Sequence, residues 1–414
     1  MTEKKVFPSD LMNWLHENVG FENFKSGRER LDNAYSSILK KIKNSKTKIV
    51  TVAGTNGKGE TCWKLSQALY EDGYKVALWT SPHVDSVCER FWKNGSNPTE
   101  LSLFELFKKT STQDLTFYEF LFLCFLEWSF SEDIDVLILE VGLGGRLDAT
   151  NLLDANICAV TSIGRDHQEV LGDKLEDILM EKLGVSRPNR PIISGVTQKF
   201  LKEKIEKFAK RQESKVLDID YVISDCALEV YPERNSAVAQ LLYTFVKKNS
   251  FLKIHKELFS PRFQEIKAPN RFEEVTLKDN TFIFIGAHNL DGIRETIKLL
   301  DYKNYQNLGL LMGFSKRKIS DVKAMLKSAL KYPCLFNELC VFDYTHPRSL
   351  PREELKQLLE NIDTDESNIA LTFNKEIQDL PKFFDSLKTV QSQPKKFIVC
   401  GSYYFIGEFK KFIS

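Results

Sequence analysis

Short apolar runs alternate with longer stretches of helical periodicity along most of this 414-residue chain. Runs that are apolar almost throughout predict strands buried on both faces of a sheet. In the first part of the chain the predicted strands cover residues 48–54, 74–80, 134–142, 156–163 and 190–196. Strands that alternate with helices assemble into parallel sheets covered by helices, so the pattern predicts an α/β fold.

The alternation stops near residues 260–275 and then resumes, which predicts a second domain. The later predicted strands cover residues 281–286, 307–314, 334–343 and 395–401. A chain of this length is too long for a single hydrophobic core. We therefore place a boundary near Lys267, with an N-terminal domain over residues 1–267 and a smaller C-terminal domain over residues 268–414.

The composition excludes several classes of protein. The net charge of +1 offers no surplus for a polyanion, so we expect no nucleic-acid partner. The most apolar stretch, residues 117–130, is too short to span a bilayer and carries two glutamates, which predicts a buried helix and no membrane partner. The first ten residues lack the apolar run of a secretory signal.

Eight cysteines are scattered along the chain without a C-x-x-C pair. That spacing argues against a zinc knuckle and against a disulfide framework. Free thiols persist in a reducing compartment, so we expect a cytoplasmic protein, with a monomer as the default state.

The stretch VTVAGTNGKGET, residues 50–61, is the first candidate for chemistry. Between a predicted strand and a predicted helix, its backbone amides and Lys58 suit a phosphate group. The alternative is a glycine-rich turn with a surface lysine. The stretch also departs from the common P-loop, since Val52 stands in place of the first glycine and Gly59-Glu60 in place of the hydroxyl after the lysine.

The form A-G-T-N-G-K-G is the signature of the Mur ligase superfamily, and five further segments resemble its folate branch in order and spacing. These are TSPHVDSVCER (80–90), LTFYEF (115–120), LEVGLGGRLDATN (139–151), VTSIGRDHQEVLG (160–172) and MEKLGVSR (180–187). The chain thus resembles the dihydrofolate synthase/folylpolyglutamate synthases over nearly its whole length. That resemblance implies a P-loop-type, mostly parallel N-terminal sheet domain that binds ATP and the pterin, and a smaller Rossmann-like C-terminal domain.

The resemblance also implies an ADP-forming ligase. The γ-phosphoryl group of ATP activates the carboxylate of dihydropteroate or of a reduced folate, and the amine of L-glutamate displaces phosphate from the acyl phosphate. Such chemistry depends on positioning and charge neutralisation, here with ATP as co-substrate and Mg²⁺, expected as two ions. Two alternatives stay open: a Mur-superfamily ligase with another acceptor, and a catalytically impaired nucleotide-binding homologue.

Residue by residue, the resemblance assigns four groups of site residues. The ATP-binding group is Gly54, Thr55, Asn56, Gly57, Lys58, Gly59, Thr61, Asn235 and Arg271. The metal group is Ser81, Glu140, His167 and Lys182, the lysine being N-carbamylated in the family. The pterin group is Thr116, Tyr118, Leu147, Asp148 and Ala149. The catalytic group is Lys58, Lys182, Arg271 and His288.

Several positions depart from the family pattern, among them Ser26, where a leucine of the pterin pocket is common. Glu60 stands where serine or threonine is usual, Ile285 replaces a nucleotide-contacting aspartate, and residues 316–318 are basic where the family has D-K-D. A glutamate in a first helical turn is favourable to the helix dipole. We therefore expect the Glu60 side chain to point away from the phosphates and threonine to be tolerated there.

Overall fold

The computed structural model describes residues 11–21, 25, 29–110, 114–224, 228–248, 257–362, 372–374, 376–389 and 395–413. The chain divides into two compact units, one of residues 1–228 with 232–266 and one of residues 229–231 with 267–414. The chain passes from the first unit to the second between Ile266 and Lys267, within one residue of the boundary placed from the sequence.

The first unit is built on a seven-stranded sheet in the order β3-β2-β4-β1-β5-β6-β7. Its strands are β1 (Lys48–Ala53), β2 (Val76–Trp79), β3 (Phe91–Lys93), β4 (Val136–Glu140), β5 (Ile157–Val160), β6 (Ile192–Ser194) and β7 (Val216–Asp218). All neighbours are parallel except β2 and β3. A separate parallel pair consists of β8 (Ile223–Ser224) and β9 (Glu257–Leu258). The carboxyl ends of the parallel strands therefore share one edge of the sheet.

Helices cover both faces of this sheet. They are α1 (Leu11–Asn18), α2 (Glu29–Lys43), α3 (Lys58–Glu71), α4 (Glu100–Lys109), α5 (Phe117–Ser129), α6 (Gln168–Leu171), α7 (Leu175–Leu183), α8 (Lys199–Arg211), α9 (Ile219–Val222), α10 (Tyr231–Lys248) and α11 (Arg262–Glu265). Leu137 and Leu139 of β4 belong to the same core cluster as α5, whereas Val136 and Ile138 belong to the cluster of α3 and α10. Because both faces of β4 are covered, its sequence is apolar at successive positions.

The second unit contains a six-stranded sheet in the order β10-β11-β15-β12-β13-β14. Its elements are β10 (Arg271–Leu277), β11 (Asn280–Ile285), α12 (Leu290–Tyr302), β12 (Leu308–Gly313), α13 (Ile319–Leu330), β13 (Phe336–Phe342), α14 (Arg352–Glu360), β14 (Thr372–Phe373), α15 (Leu380–Thr389), β15 (Lys396–Cys400) and α16 (Tyr403–Lys410). Only β10 pairs antiparallel with its neighbour; the other pairs are parallel.

The α/β class is confirmed, and each predicted strand has a counterpart in the structure. The apolar stretch that follows Thr116 is a buried helix, α5. Among the described residues, no helix is long and apolar enough to cross a bilayer. The seven described cysteines are all unpaired thiols, and six of them are buried; Cys226 lies outside the described residues. The sequence pattern missed the short strands at the sheet edges.

Candidate active site

The loop after β1 lies at the carboxyl edge of the first sheet and contains two glycines with positive φ. The φ angles are 148° at Gly54 and 90° at Gly57. A Cβ atom on Gly54 would lie 2.0 Å from Thr161 Oγ1, and one on Gly57 would lie 2.2 Å from Asn235 Oδ1. The loop therefore needs glycine at both positions, for its backbone conformation and for the close approach of these two side chains.

The loop that follows β5 holds this first loop in place. The Thr55 amide donates to the Ser162 carbonyl at 2.9 Å, and the Asn56 amide donates to the Ser162 hydroxyl at 2.9 Å. The Thr161 hydroxyl donates to the Asn56 carbonyl at 2.7 Å. From the sequence, no role was assigned to Thr161 and Ser162. Two hydroxyl residues directly after a buried strand could have indicated polar contacts with the neighbouring loop.

The first turn of α3 carries the amides of a candidate phosphate cradle. Gly57 precedes the helix, and no side chain caps this end. Amides at a helix N-terminus lack partners inside the helix and attract anions. Because the amides of Thr55 and Asn56 already donate to Ser162, the amides that could hold a phosphate are those of Gly57, Lys58 and Gly59.

The side-chain nitrogens of two lysines meet at one carbonyl oxygen of the loop after β1. Lys58 Nζ donates to the carbonyls of Gly54 and Thr55, each at 3.1 Å. Lys182, in the last turn of α7, donates from Nζ to the same Gly54 carbonyl at 3.0 Å. Burial, reinforced by the nearby charge of Lys58, lowers the pKa of Lys182 to about 7. Lys182 is only 4% exposed, so the structure places it inside the site and not on a solvated helix face.

Glu140 is the last residue of β4 and is 3% exposed. Its Oε2 accepts the Ser81 amide at 3.0 Å, which joins two of the predicted metal residues. His167 precedes α6 with φ of 50°, and its half-exposed ring lies 3.6 Å from the Glu169 carboxylate. Among the described residues, no group of three or more His, Cys, Asp or Glu side chains could hold a metal ion. A metal at Glu140 would therefore take several ligands from phosphate oxygens and water, as Mg²⁺ commonly does.

The departure at Glu60 has a structural reason that helix polarity does not cover. Glu60 is 6% exposed, and its Oε2 accepts a hydrogen bond from Asn235 Nδ2 at 2.8 Å. Lys64 Nζ lies 3.5 Å from Oε1. Thr61 is fully buried and donates from its hydroxyl to the Asn235 carbonyl at 3.4 Å. A threonine at position 60 is too short to make both contacts, so the structure gives a reason to expect Glu60→Thr to be less well tolerated than helix polarity alone suggests.

Asp148 organises the glycine-rich turn after β4. Its Oδ2 accepts the amides of Gly142 and Leu143 at 3.0 and 3.1 Å. Its Oδ1 accepts from the Thr150 amide at 2.9 Å, the Thr150 hydroxyl at 2.7 Å and the Tyr118 hydroxyl at 3.3 Å. Burial raises the pKa of Asp148, and the hydrogen bonds from Thr150, Leu143 and Gly142 partly offset that rise. The carboxylate thus has a structural role in addition to any contact with an acceptor.

Tyr118 lies over the same turn. Its hydroxyl accepts from Trp79 Nε1 at 3.0 Å and from the Gly142 amide at 3.1 Å. A Cβ atom on Gly142 would lie 2.7 Å from the tyrosine ring, so glycine is needed beneath it. Thr116 caps α5 by accepting the Glu119 amide at 3.3 Å. The hydroxyl groups of Tyr118 and Thr116 therefore have protein partners. The ring face of Tyr118 is the feature best suited to a flat ligand.

The turn also packs against α7. A Cβ atom on Gly145 would lie 2.8 Å from the Glu181 carbonyl, next to Lys182. Leu147 is partly buried, and Ala149 is 3% exposed at the start of a short 3₁₀ turn. This packing connects the predicted pterin residues to the helix that carries the buried lysine.

We predict that Asp148→Asn lowers the thermal stability of the protein. Both oxygens of Asp148 accept backbone amides, so an asparagine NH₂ group meets an N–H donor in either orientation. A buried donor left without an acceptor costs roughly 1–3 kcal/mol. Thermal unfolding should show a lower Tm by several degrees. Asp154→Asn is the matched control, because Asp154 is 93% exposed beside Arg187 and surface ion pairs contribute little. Equal Tm values for the two variants would contradict the assigned role.

In the second unit, Tyr403 brings together two predicted site residues. The Arg271 guanidinium lies 4.7 Å from the centre of the Tyr403 ring, and the His288 ring centre lies 5.3 Å from it. His288 Nδ1 is 2.8 Å from the Gly286 carbonyl, which can only accept, so Nδ1 carries the proton. Asn289 is buried and caps α12 through its side chain. Sequence reasoning missed Tyr403, since nothing in its local pattern separates it from an ordinary helix residue.

Comparison with known proteins identifies the family of this chain. The chain is 30% identical over 395 residues to the dihydrofolate synthase/folylpolyglutamate synthase of Buchnera aphidicola subsp. Baizongia pistaciae. The match covers 90% of this chain and 88% of the relative. The chain belongs to the dihydrofolate synthase/folylpolyglutamate synthase family. No family model matches the sequence.

Solved structures of dihydrofolate synthase/folylpolyglutamate synthases agree in fold. Escherichia coli FolC in complex with DHPP and ADP matches with a TM-score of 0.77 and 25% identity, over 98% of each chain. The Yersinia pestis enzyme complexed with AMPPNP and Mn ion matches with a TM-score of 0.76 and 26% identity, again over 98% of each chain. The Mur ligase architecture is therefore confirmed, and the chain is an ATP-dependent, ADP-forming ligase of the folate branch.

Two of the departures noted in the sequence lie in the second unit. Ile285 ends β11 at 3% exposure and is part of the apolar core of the second unit. Residues 316–318 carry three basic side chains and no acid. Both features belong to the second unit, whereas the loop after β1 and Glu140 belong to the first.

Proposed function

We propose that this ligase joins L-glutamate both to dihydropteroate and to reduced folates, through an acyl phosphate, with release of ADP and phosphate. The observation that carries the proposal is the convergence of Lys58, Lys182 and Glu140 at the carboxyl edge of one sheet. A cation at the start of α3, a buried amine of lowered pKa on α7 and a buried carboxylate at the end of β4 suit phosphoryl transfer to a carboxylate.

Lys58 and the amides of Gly57 and Gly59 bind the β- and γ-phosphates of ATP. Their positive ends neutralise the charge that develops on the transferred phosphoryl group. Lys58 is held by two backbone carbonyls, so little reorganisation is needed when the phosphates arrive. Asn235, beside Gly57, contacts the nucleotide from α10.

Mg²⁺ is the proposed physiological metal, as two ions held through Ser81, Glu140, His167 and a carbamylated Lys182. The buried Glu140 carboxylate and the Ser81 hydroxyl are hard oxygen ligands of the kind Mg²⁺ prefers. When bound, the ions supply charge neutralisation at the phosphates. The second ion depends on His167 moving from its pairing with Glu169, so it is the less constrained of the two.

The acceptor is proposed to bind beside the glycine-rich turn, with its pterin on the ring of Tyr118. The turn is held rigid by Asp148, and Leu147 and Ala149 provide its apolar flanks. Thr116 begins α5 next to Tyr118 and limits the pocket on that side. Arg271 and His288 are proposed to contribute to the reaction from the second unit. Monomeric state and cytoplasmic location remain predictions.

ADP release measured with each acceptor separately tests the proposal. Purified protein receives ATP, MgCl₂ and L-glutamate together with either dihydropteroate or tetrahydrofolate. We expect glutamate-dependent ADP release with both acceptors. Release with tetrahydrofolate alone would leave a chain-extending synthase, and release with neither would reject the acceptor class. Omission of glutamate controls for ATP hydrolysis.

A further inference from the structure

The contact between Glu60 and Asn235 fixes the orientation of an amide that sits on the phosphate loop. A carboxylate accepts hydrogen bonds and does not donate them, so the Asn235 group 2.8 Å from Glu60 Oε2 must be the NH₂. The carbonyl end, Oδ1, then lies over Gly57, whose missing Cβ leaves room for it. Asn235 therefore presents Oδ1 to the loop as an acceptor, next to one remaining N–H.

The backbone under Asn235 is anchored independently. Its neighbour Arg234 donates from Nη1 to Asp220 at 2.9 Å and from Nη2 to the Gly195 carbonyl at 3.2 Å. The Thr61 hydroxyl meets the Asn235 carbonyl. With the start of α10 held at these points, the remaining freedom is rotation of the Asn235 side chain, and Glu60 removes it.

The carboxylate of Glu60 is itself held. Lys64, one helical turn later, lies 3.5 Å from Glu60 Oε1 and is 3% exposed. Its ammonium also donates to the Phe263 carbonyl at 2.7 Å. A buried charge with a partner and an additional hydrogen bond keeps a defined position. Lys64, Glu60 and Asn235 thus form a fixed series of polar contacts that ends at the phosphate loop.

We propose that Glu60 is a positioning residue that sets Asn235 to recognise adenine. An asparagine amide with a fixed acceptor and a fixed donor matches the 6-amino group and N7 of adenine, because adenine presents a donor beside an acceptor on that edge. Hypoxanthine, the base of ITP, presents two acceptors on that edge. Asn235 Oδ1 would then face the 6-oxo group, and two acceptors cannot form a hydrogen bond with each other. The inference rests on the proposed nucleotide contact of Asn235 and assigns to Glu60 the selection of ATP over 6-oxopurine triphosphates.

Equilibrium binding of ATP and ITP by the full-length protein tests this inference. Kd values are measured by calorimetry with MgCl₂ and without acceptor, so the result does not depend on ligase turnover. Wild type should bind ATP about tenfold or more tightly than ITP, the discrimination expected of one bidentate amide contact. In Glu60→Gln the amide can rotate, since glutamine both donates and accepts, and the ratio of Kd values should fall to about threefold or less.

Two further variants separate positioning from general damage. Asn235→Ala should lose the same ATP preference, and adding Glu60→Gln to it should change the ratio no further, because one contact is being removed twice. Glu60→Gln with Lys64→Met removes the ammonium that Glu60→Gln leaves without a carboxylate. It should show the same reduced ratio, although the loss of the Lys64 hydrogen bond to the Phe263 carbonyl lowers its Tm. A wild-type ratio in both Glu60→Gln proteins, independent losses from Glu60 and Asn235, or equal binding of ATP and ITP by wild type would each overturn the inference.

Discussion

The Lys58→Ala and Glu140→Ala variants are expected to fold and to release ADP roughly two to three orders of magnitude more slowly than wild type, the usual loss on removal of one preorganised transition-state contact. Lys58 stands at the cradle with its ammonium fixed by the carbonyls of Gly54 and Thr55. The Lys58→Ala variant keeps the backbone amides of the loop but loses the positive charge of the ammonium. Glu140 is buried at a strand end, and its removal takes away the carboxylate proposed to hold the metal.

Initial rates of ADP release at saturating glutamate give the measurement, with ATP and MgCl₂ varied. Loss of Lys58 should lower kcat/KM for ATP at every concentration of metal, whereas loss of Glu140 should also raise the MgCl₂ needed for half-maximal rate. Lys210→Ala, on the exposed end of α8, is the matched control for loss of a lysine. Turnover close to that of wild type in either site variant would remove the assigned roles, provided that Tm is unchanged.

The sheet of each unit could be predicted because its strands are covered on both faces. In β4 the residues of one core cluster alternate with those of the other, which produces a run without polar positions until Glu140. That single polar residue at the end of an apolar strand is itself the signal for a site. Short edge strands such as β14 have no such apolar run. This strand has only two residues and pairs with β13 alone, so few of its positions need to be apolar.

The contacts that complete the site could not be predicted from local pattern. Glu60 and Asn235 are 175 residues apart, and Asn56 lies 105 residues from Thr161. Helix polarity accounts for an acid at position 60 but not for its contacts with Asn235 and Lys64, which a threonine could not both make. Tyr403, which gathers Arg271 and His288, illustrates the same limit in the second unit. Local sequence identifies residues that carry chemistry, whereas the residues that position them depend on how distant segments pack.

The largest effect after those at Lys58 and Glu140 is expected at Lys182, where we propose that CO₂ adds to the neutral amine to form a carbamate and release one proton. At pH 7 a lysine of ordinary pKa is neutral in roughly 0.04% of molecules. Because the pKa of Lys182 is lowered to about 7, about half of its amines are neutral at that pH. Carbamylation also replaces the repulsion between two ammonium groups at the Gly54 carbonyl by an attraction between Lys58 and an anion.

The Lys182→Ala variant should therefore lose activity by roughly two orders of magnitude, a loss of the size seen when a preorganised charged contact is removed. Added acetate or formate should restore part of it by occupying the space of the missing carbamate. In wild type, activity should fall as the pH drops below about 7, because protonation removes the amine that reacts with CO₂, and bicarbonate should oppose that fall. Carbon-13 NMR with labelled bicarbonate at pH 8 should show a carbamate resonance in wild type that is missing from Lys182→Ala. A wild-type spectrum without that resonance, together with no rescue by short carboxylates, would contradict carbamylation. Lys182 would then act as a neutral amine or an ammonium, and the proposed second metal would lack an anionic ligand on α7.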